Sequence, residues 1–185
     1  MSSGKATSIG FRDVLLCLNA VLGALVLIVL SAINPAAKDD PAQLPGNLVA
    51  SIAWPAGSTD VDLWVQYGDD LAVGYSHRSD RVWSLLRDDL GTANDDTPLN
   101  AESAFTRGLP DGEYAINVRC FGCAKVPVPV SVEVRLAEGG VVWRATVDLL
   151  KDKQERTAIR FRMAGGQVVP GSASSVFKQM KRGEG

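Results

Sequence analysis

Asp13 stands at the head of the longest apolar run in the chain, VLLCLNAVLGALVLIVLSAI, which carries no charge. A carboxyl group there could load and release a proton if protein surrounds it, because acids kept within membrane helices usually serve function. Arg12-Asp13 could equally mark a membrane interface, with Asp13 capping a helix N-terminus. The residues alone leave both readings open. Cys120-Phe121-Gly122-Cys123 is the one CxxC. A structural zinc site normally takes four ligands, and no second pair exists. Redox CxxC motifs gain thiolate stabilisation at a helix N-terminus, whereas this one follows a strand. A local disulfide outside the cytoplasm and a pair of free thiols remain as alternatives.

Other candidates are weaker. Asp88, Asp89, Asp95 and Asp96 offer hard oxygen ligands suited to Ca²⁺, but their spacing is not that of an EF-hand loop. A solvated acidic loop explains them equally well. Asp60 and Asp62 flank a strand start, where turn capping and an outward carboxylate are expected. Trp64, on the polar side of that strand, reads as a contact surface or as packing against a second sheet. His77 is the only histidine, and no Ser–His–Asp or Cys–His pattern forms around it. There is no P-loop and no GxGxxG. The chain is therefore not expected to be an enzyme, nor to hold a cofactor or metal.

The elements that must position these residues follow from periodicity. Residues 13–33 form the only stretch long enough to span a bilayer, roughly 30 Å at about 1.5 Å per residue. Around that helix, Cys17, Ala20, Ala24, Leu27 and Ser31 fall within ~40° of Asp13. Cys17, Ala20, Ala24 and Ser31 make the stripe mostly small or weakly polar, which suits helix–helix packing in lipid. Asn19 lies off the stripe and could bond a second helix. Lys5 and Arg12 precede the span and Lys38 follows it, two basic residues against one, which places the N-terminus inside and the domain outside. A cleaved signal peptide is the rival, but its apolar region is usually shorter, about 7–15 residues. Pro35 sits awkwardly in the candidate cleavage region SAINPAA, and bulky Leu16 before Cys17 argues against a lipoprotein.

With 46% hydrophobic and 22% charged residues and a net charge of −2, the chain has room for one domain plus a helix and shows no basic surface for nucleic acid. Residues 1–12 read as a cytoplasmic leader, disordered over Met1 to Gly10 although the helix could start near Ile9 to Phe11, and residues 34–46, with three prolines, as an extended linker. From residue 47 to 163 the period is two. Leu48–Trp54, Val61–Tyr67, Val73–His77, Arg81–Leu86, Ala101–Arg107, Tyr114–Cys120, Val126–Leu136, Val141–Leu149 and Thr157–Met163 read as strands, with turns at Pro55-Ala56-Gly57, Pro110-Asp111-Gly112 and Glu138-Gly139-Gly140. Pro127 and Pro129, two apart, point to an edge strand. Turns at this spacing predict a mainly β chain, an antiparallel β-sandwich after the transmembrane helix. Residues 164–185, Gly/Ser-rich and then basic, read as a flexible tail with a single helical turn around Val176 to Met180.

Two resemblances add to this. TDVDLWV, GYSHRSD, LRDDLGTANDDTPLNAE, LPDGEYAINVRCF and VPVSVEVRL, in that order over roughly residues 48–136, resemble a YfaP-type β-sandwich domain. That resemblance implies a fold and an envelope or surface location, with no assigned chemistry. IGFRDVLLCLNAVLGALVLIVLSAINP resembles the transmembrane segment of the rotary-motor B subunits, the MotB, ExbD and TolR type. It implies a bacterial inner-membrane protein with the N-terminus in the cytoplasm and the domain in the periplasm or outside the cell. It further implies a homodimer inside a five-subunit channel of MotA/ExbB/TolQ-like partners, with Asp13 carrying the coupling ion, most simply a proton. The sandwich would then transmit torque or engage an envelope component. Arg12 adjoins the acid here, and the outer domain carries no peptidoglycan-binding pattern. The alternative from the residues is a membrane-anchored extracytoplasmic binding module without ion transport.

Overall fold

Leu48, Ala50, Ile52 and Trp54 alternate along β1 (Leu48–Trp54) and are all buried, as the period of two requires. This is a computed structural model, and it describes residues 3–33, 45–89, 99–138 and 140–180. The chain divides into two units, residues 1–42 and 43–185. The first holds α1 (Ser3–Ile33). The second holds the remaining strands: β2 (Asp60–Tyr67), β3 (Trp83–Arg87), β4 (Asn100–Thr106), β5 (Gly112–Gly122), β6 (Val128–Leu136), β7 (Gly140–Leu149), β8 (Glu155–Ala164) and β9 (Gln167–Val168). Two antiparallel sheets, in the orders β3-β4-β1-β6-β7 and β2-β5-β8-β9, pack as a β-sandwich. The mainly β architecture after one apolar helix is the one expected from the periodicity.

The core lies between the sheets. Ile52, Val130, Val132 and Val134 come from one, and Leu63, Ile116, Ile159 and Phe161 from the other. Aromatic rings close one end of it. Tyr114 stacks on Phe161 at 5.7 Å and meets Trp83, from the opposite sheet, edge-on at 6.1 Å. Such pairs add about 0.5–1.5 kcal/mol beyond the area they bury. The Tyr114 hydroxyl donates to the Pro110 carbonyl at 2.8 Å, so the buried ring keeps a partner for its polar end.

Several expectations are corrected. α1 begins at Ser3, so the described part of the leader is helical. Residues 73–77 make isolated bridges, Val65 to Val73 and Gly74 to His77, instead of a strand. β6 is an interior strand, paired with β1 and β7. Pro127 precedes it, and Pro129 pairs only with Asp148 of β7, beyond the last β1 partner at Ser131. The overhang removes any need for an N–H toward β1 at that position. In β7 a register shift opposite Val134 and Arg135 changes the phase, which brings Val142 to the core and leaves Val141 exposed.

The tail differs most. Residues 172–180 contain no helical turn and run across the outer face of the four-stranded sheet. Ser174 bridges Arg160 of β8, the Lys178 amide donates to Thr157 Oγ1 at 2.9 Å, and the Met180 amide donates to Glu155 Oε1 at 3.0 Å. Buried Asn117 donates to the Lys178 carbonyl at 2.7 Å, and Met180 packs with Trp64 and Ala115. Composition suggested freedom; partners distant in sequence supply the order. Gly74 lies so close to the Trp64 ring that a Cβ would sit 2.7 Å from it, and the Tyr75 ring meets Trp64 edge-on. Trp64 is thus covered on its outer side.

Deleting residues 172–185 should therefore destabilise the domain by about 2–4 kcal/mol, from the Trp64 and Ala115 surface that Met180 covers and from the lost hydrogen bonds to Asn117 and Thr157. Denaturant unfolding of the full chain and the truncation in the same detergent checks this. An unchanged midpoint would show that residues 172–180, the strap across this sheet, contribute nothing.

Candidate functional site

In α1 every residue from Gly10 to Leu30 is exposed within its own unit, and this segment is long and apolar enough to cross a membrane. A signal sequence near an N-terminus has the same properties. Asp13 lies ten residues inside a helix that starts at Ser3, so it does not occupy the N-cap. Cys17, Ala20 and Ala24 are exposed along the same face, and Ser31 belongs to the last turn of the same helix. The Asn19 side chain donates to the Leu15 carbonyl of its own helix at 2.9 Å. That local bond occupies one of its donors and leaves its second N–H for a neighbour.

At one end of the sandwich the folding brings acids together that the sequence holds apart. β4 turns Asn100, Glu102, Ala104 and Thr106 inward, and Glu102 is 2% exposed. Its Oε2 accepts the Leu63 amide of β2, in the opposite sheet, at 2.7 Å, and its Oε1 accepts the Asp89 amide at 3.3 Å. Burial pushes this carboxyl up to about 9, with Asp62 and Asp88 adding to the shift and the two backbone donors opposing it. Asp62 takes the outer side of β2, as expected, opposite Arg119 at 4.0 Å, but is buried there. Asp89, also buried, pairs with Arg87 at 2.9 Å and accepts the Ala101 amide at 3.0 Å. Asp88 pairs with Arg78 at 3.0 Å. The carboxyl of Asp60 is raised by burial and then by Asp88 and Asp89. Asp88 and Asp89 are thus already engaged by arginines, while Asp95 and Asp96 lie outside the described residues. Sequence reasoning missed Glu102; the signal was its place in register with inward Ala104 and Thr106.

The outer face of the five-stranded sheet forms a trough of about 570 Å³. Ser51, Ala53, Ala101, Ser103 and Ser131 floor it, and Arg87 and Arg144 stand at its two sides. Arg144 pairs with Glu133 across the β6–β7 ladder. On the other sheet a second hollow of about 350 Å³ involves His77, Asp69 and Asp70 with Gln179 and Met180 of the strap. Lys178 anchors the strap there, donating to the Gly68 carbonyl at 2.6 Å and to Glu113 Oε1 at 3.1 Å. Burial would raise Glu113, but hydrogen bonds from Arg160 and Lys178 outweigh it and hold the carboxyl below its usual range.

Cys120 and Cys123 are joined as a disulfide at the end of β5, with Cα atoms 5.9 Å apart. The carboxylate of Asp152, in the β7–β8 turn, lies 3.4 Å from Cys120 Sγ and accepts the Cys123 amide at 2.9 Å. A carboxylate there disfavours a thiolate, which argues against a catalytic exchange pair. Asp152 carried no sequence signal, because its partners lie about thirty residues away.

Glu102 gives a pH test. Its folded carboxyl titrates near 9 against an ordinary 4.5, so the folded state holds the proton more tightly. Its contribution is complete below about pH 4.5 and is lost as pH rises toward about 9. Glu102→Gln stays neutral throughout, so wild type should lose stability relative to this variant between pH 5 and pH 8 in denaturant unfolding. A pH-independent difference would mean that Glu102 is ionised when folded. No protein-family model, no curated protein and no solved structure matches this chain.

Proposed function

We propose that the chain is a bitopic B-type subunit of an ion-driven membrane motor or energiser, with Asp13 as the ion carrier and the β-sandwich as its torque-transmitting or target-binding part. The observation that carries this reading is the position of Asp13. It sits nearly three turns inside a continuous helix, at the start of the apolar segment, where capping gives no reason for an acid. The stripe of Cys17, Ala20, Ala24 and Ser31 along the same face supports close approach of partner helices. In this reading the helix is retained, the N-terminus is cytoplasmic, and the chain works as a homodimer within a multi-span channel subunit. The resemblance of the helix to MotB, ExbD and TolR segments supports the same arrangement.

A second reading, a membrane-anchored binding module, is favoured by a different observation. The trough on the five-stranded sheet has a floor of small residues between Arg87 and Arg144, a shape suited to holding a ligand on the domain surface. It needs no ion transport.

Asp13→Asn separates the two. The amide keeps size and hydrogen bonding but does not titrate. Biological output should be abolished at matched membrane abundance, with insertion and dimerisation unchanged, and Asp13→Glu should retain part of it. Wild-type output from the Asn variant would sink the motor reading and leave the binding module.

A further inference from the structure

Cys120, Cys123 and Asp152 form the one group of metal-binding side chains among the described residues whose ligand atoms all lie within 4.8 Å of one another. Two of the three are thiols when reduced, and the third is a carboxylate on a separate turn. We propose that this corner of the sandwich is a redox-gated site for a thiophilic divalent cation, Zn²⁺ by its chemistry. The disulfide closes the site, and the dithiol opens it.

The geometry suits that assignment. Tetrahedral zinc with Zn–S near 2.3 Å and Zn–O near 2.0 Å places its ligand atoms roughly 3.5–3.8 Å apart. Asp152 Oδ1 already stands 3.4 Å from Cys120 Sγ, close to the S–O spacing, all three ligand atoms lie within 4.8 Å of one another, and the two sulfurs part to their zinc spacing once their bond is reduced. Three protein ligands leave the fourth position for water, and Asp152 is exposed, so water has access. Asp152 Oδ1 also accepts the Cys123 amide at 2.9 Å, which orients the carboxylate toward the pair, and the charges of Lys153 and Arg119 act on it. Those two cations offset the net negative charge that two thiolates and a carboxylate would leave around Zn²⁺.

The scaffold is built before any ion arrives. The Cys120 amide donates to the Gln154 carbonyl at 2.9 Å, which pins the turn to the strand. Lys153 adopts a left-handed φ of 60°, and its ammonium donates to the Phe121 carbonyl and lies over the Phe121 ring. The turn that carries Asp152 is therefore clamped on both sides of its ligand. On the adjoining strand, Asp60 stands opposite Gly122, and its buried Oδ1 has no hydrogen-bond partner among the described residues.

The chemistry balances with an external dithiol as reductant. The Cys120–Cys123 bond breaks, each sulfur takes a proton, and the two reductant sulfurs join as a disulfide, supplying two electrons and two protons. Zn²⁺ then displaces both thiol protons and forms two Zn–S bonds and one Zn–O bond.

The test uses the full chain in detergent micelles carrying Cys17→Ser, so that only the pair remains. After reduction and anaerobic removal of the dithiol, Co²⁺ should give thiolate-to-metal charge-transfer bands that saturate at one ion per chain and vanish on adding Zn²⁺. The oxidised chain should give none. Asp152→Asn should weaken binding at least ~10-fold while both thiols still react with a maleimide. Asp152→His, which supplies a neutral nitrogen ligand, should recover it and guards against a folding defect, checked by near-ultraviolet circular dichroism. No bands from the reduced chain, or equal affinity in the folded Asn variant, would overturn the proposal.

Discussion

A carboxyl group enclosed between two sheets must either keep its proton or be matched by opposite charge, and Glu102 sets that condition for one end of the sandwich. It reaches from β4 to the Leu63 amide of β2, so a backbone donor in one sheet is satisfied by a side chain of the other. The same carboxyl receives the Asp89 amide and so holds the stretch that follows β3. Asp89 in turn takes the Ala101 amide and Arg87, and Asp88 takes Arg78. Burying a charge here would be costly without a partner, and protonation avoids that cost. What looks like a cluster of acids is a set of ties in which at least three arginines and one retained proton balance the carboxyl groups.

The far end is organised by hydrocarbon and rings. Trp83, Tyr114 and Phe161 lock together across the layers, and the Tyr114 hydroxyl finds the Pro110 carbonyl. The two ends answer different physical demands. Rings tolerate no titration and exclude water; the acidic end responds to pH. The outer faces differ too. One carries a trough with a small-residue floor, and the other is covered by the last residues of the described chain.

Much of the sandwich was legible because inward positions repeat every second residue. Leu48 to Trp54, Tyr114 to Cys120 and Ile159 to Met163 needed only that rule, whereas a register shift turns Thr157 to the outer face. The rule failed where the deciding partner is remote. Pro127 and Pro129 suggested an edge, yet β6 simply overhangs β1, a fact of relative strand length. Glu102 was a polar letter on a strand, and only the Leu63 amide of the opposing sheet reveals why it is buried, while Asp62 is buried on its own sheet's outer face beside Arg119. Lys178 and Met180 sat in a Gly/Ser-rich stretch, and their partners Gly68 and Glu155 are 110 and 25 residues away. The opposite lesson comes from Asp13. Its helix was legible, but the residue count before it decided the capping question.

The strap also orders events in time. β2, β5 and β8 are complete by residue 164, but Asn117 and the outer side of Trp64 wait for residues 178–180. On a ribosome those residues emerge after the strands they cover, and α1 emerges before all of them. The finished sheet face therefore cannot form until residues 178–180 have been made. Whatever engages the apolar helix before then meets a nascent chain whose domain is still unsealed on that face.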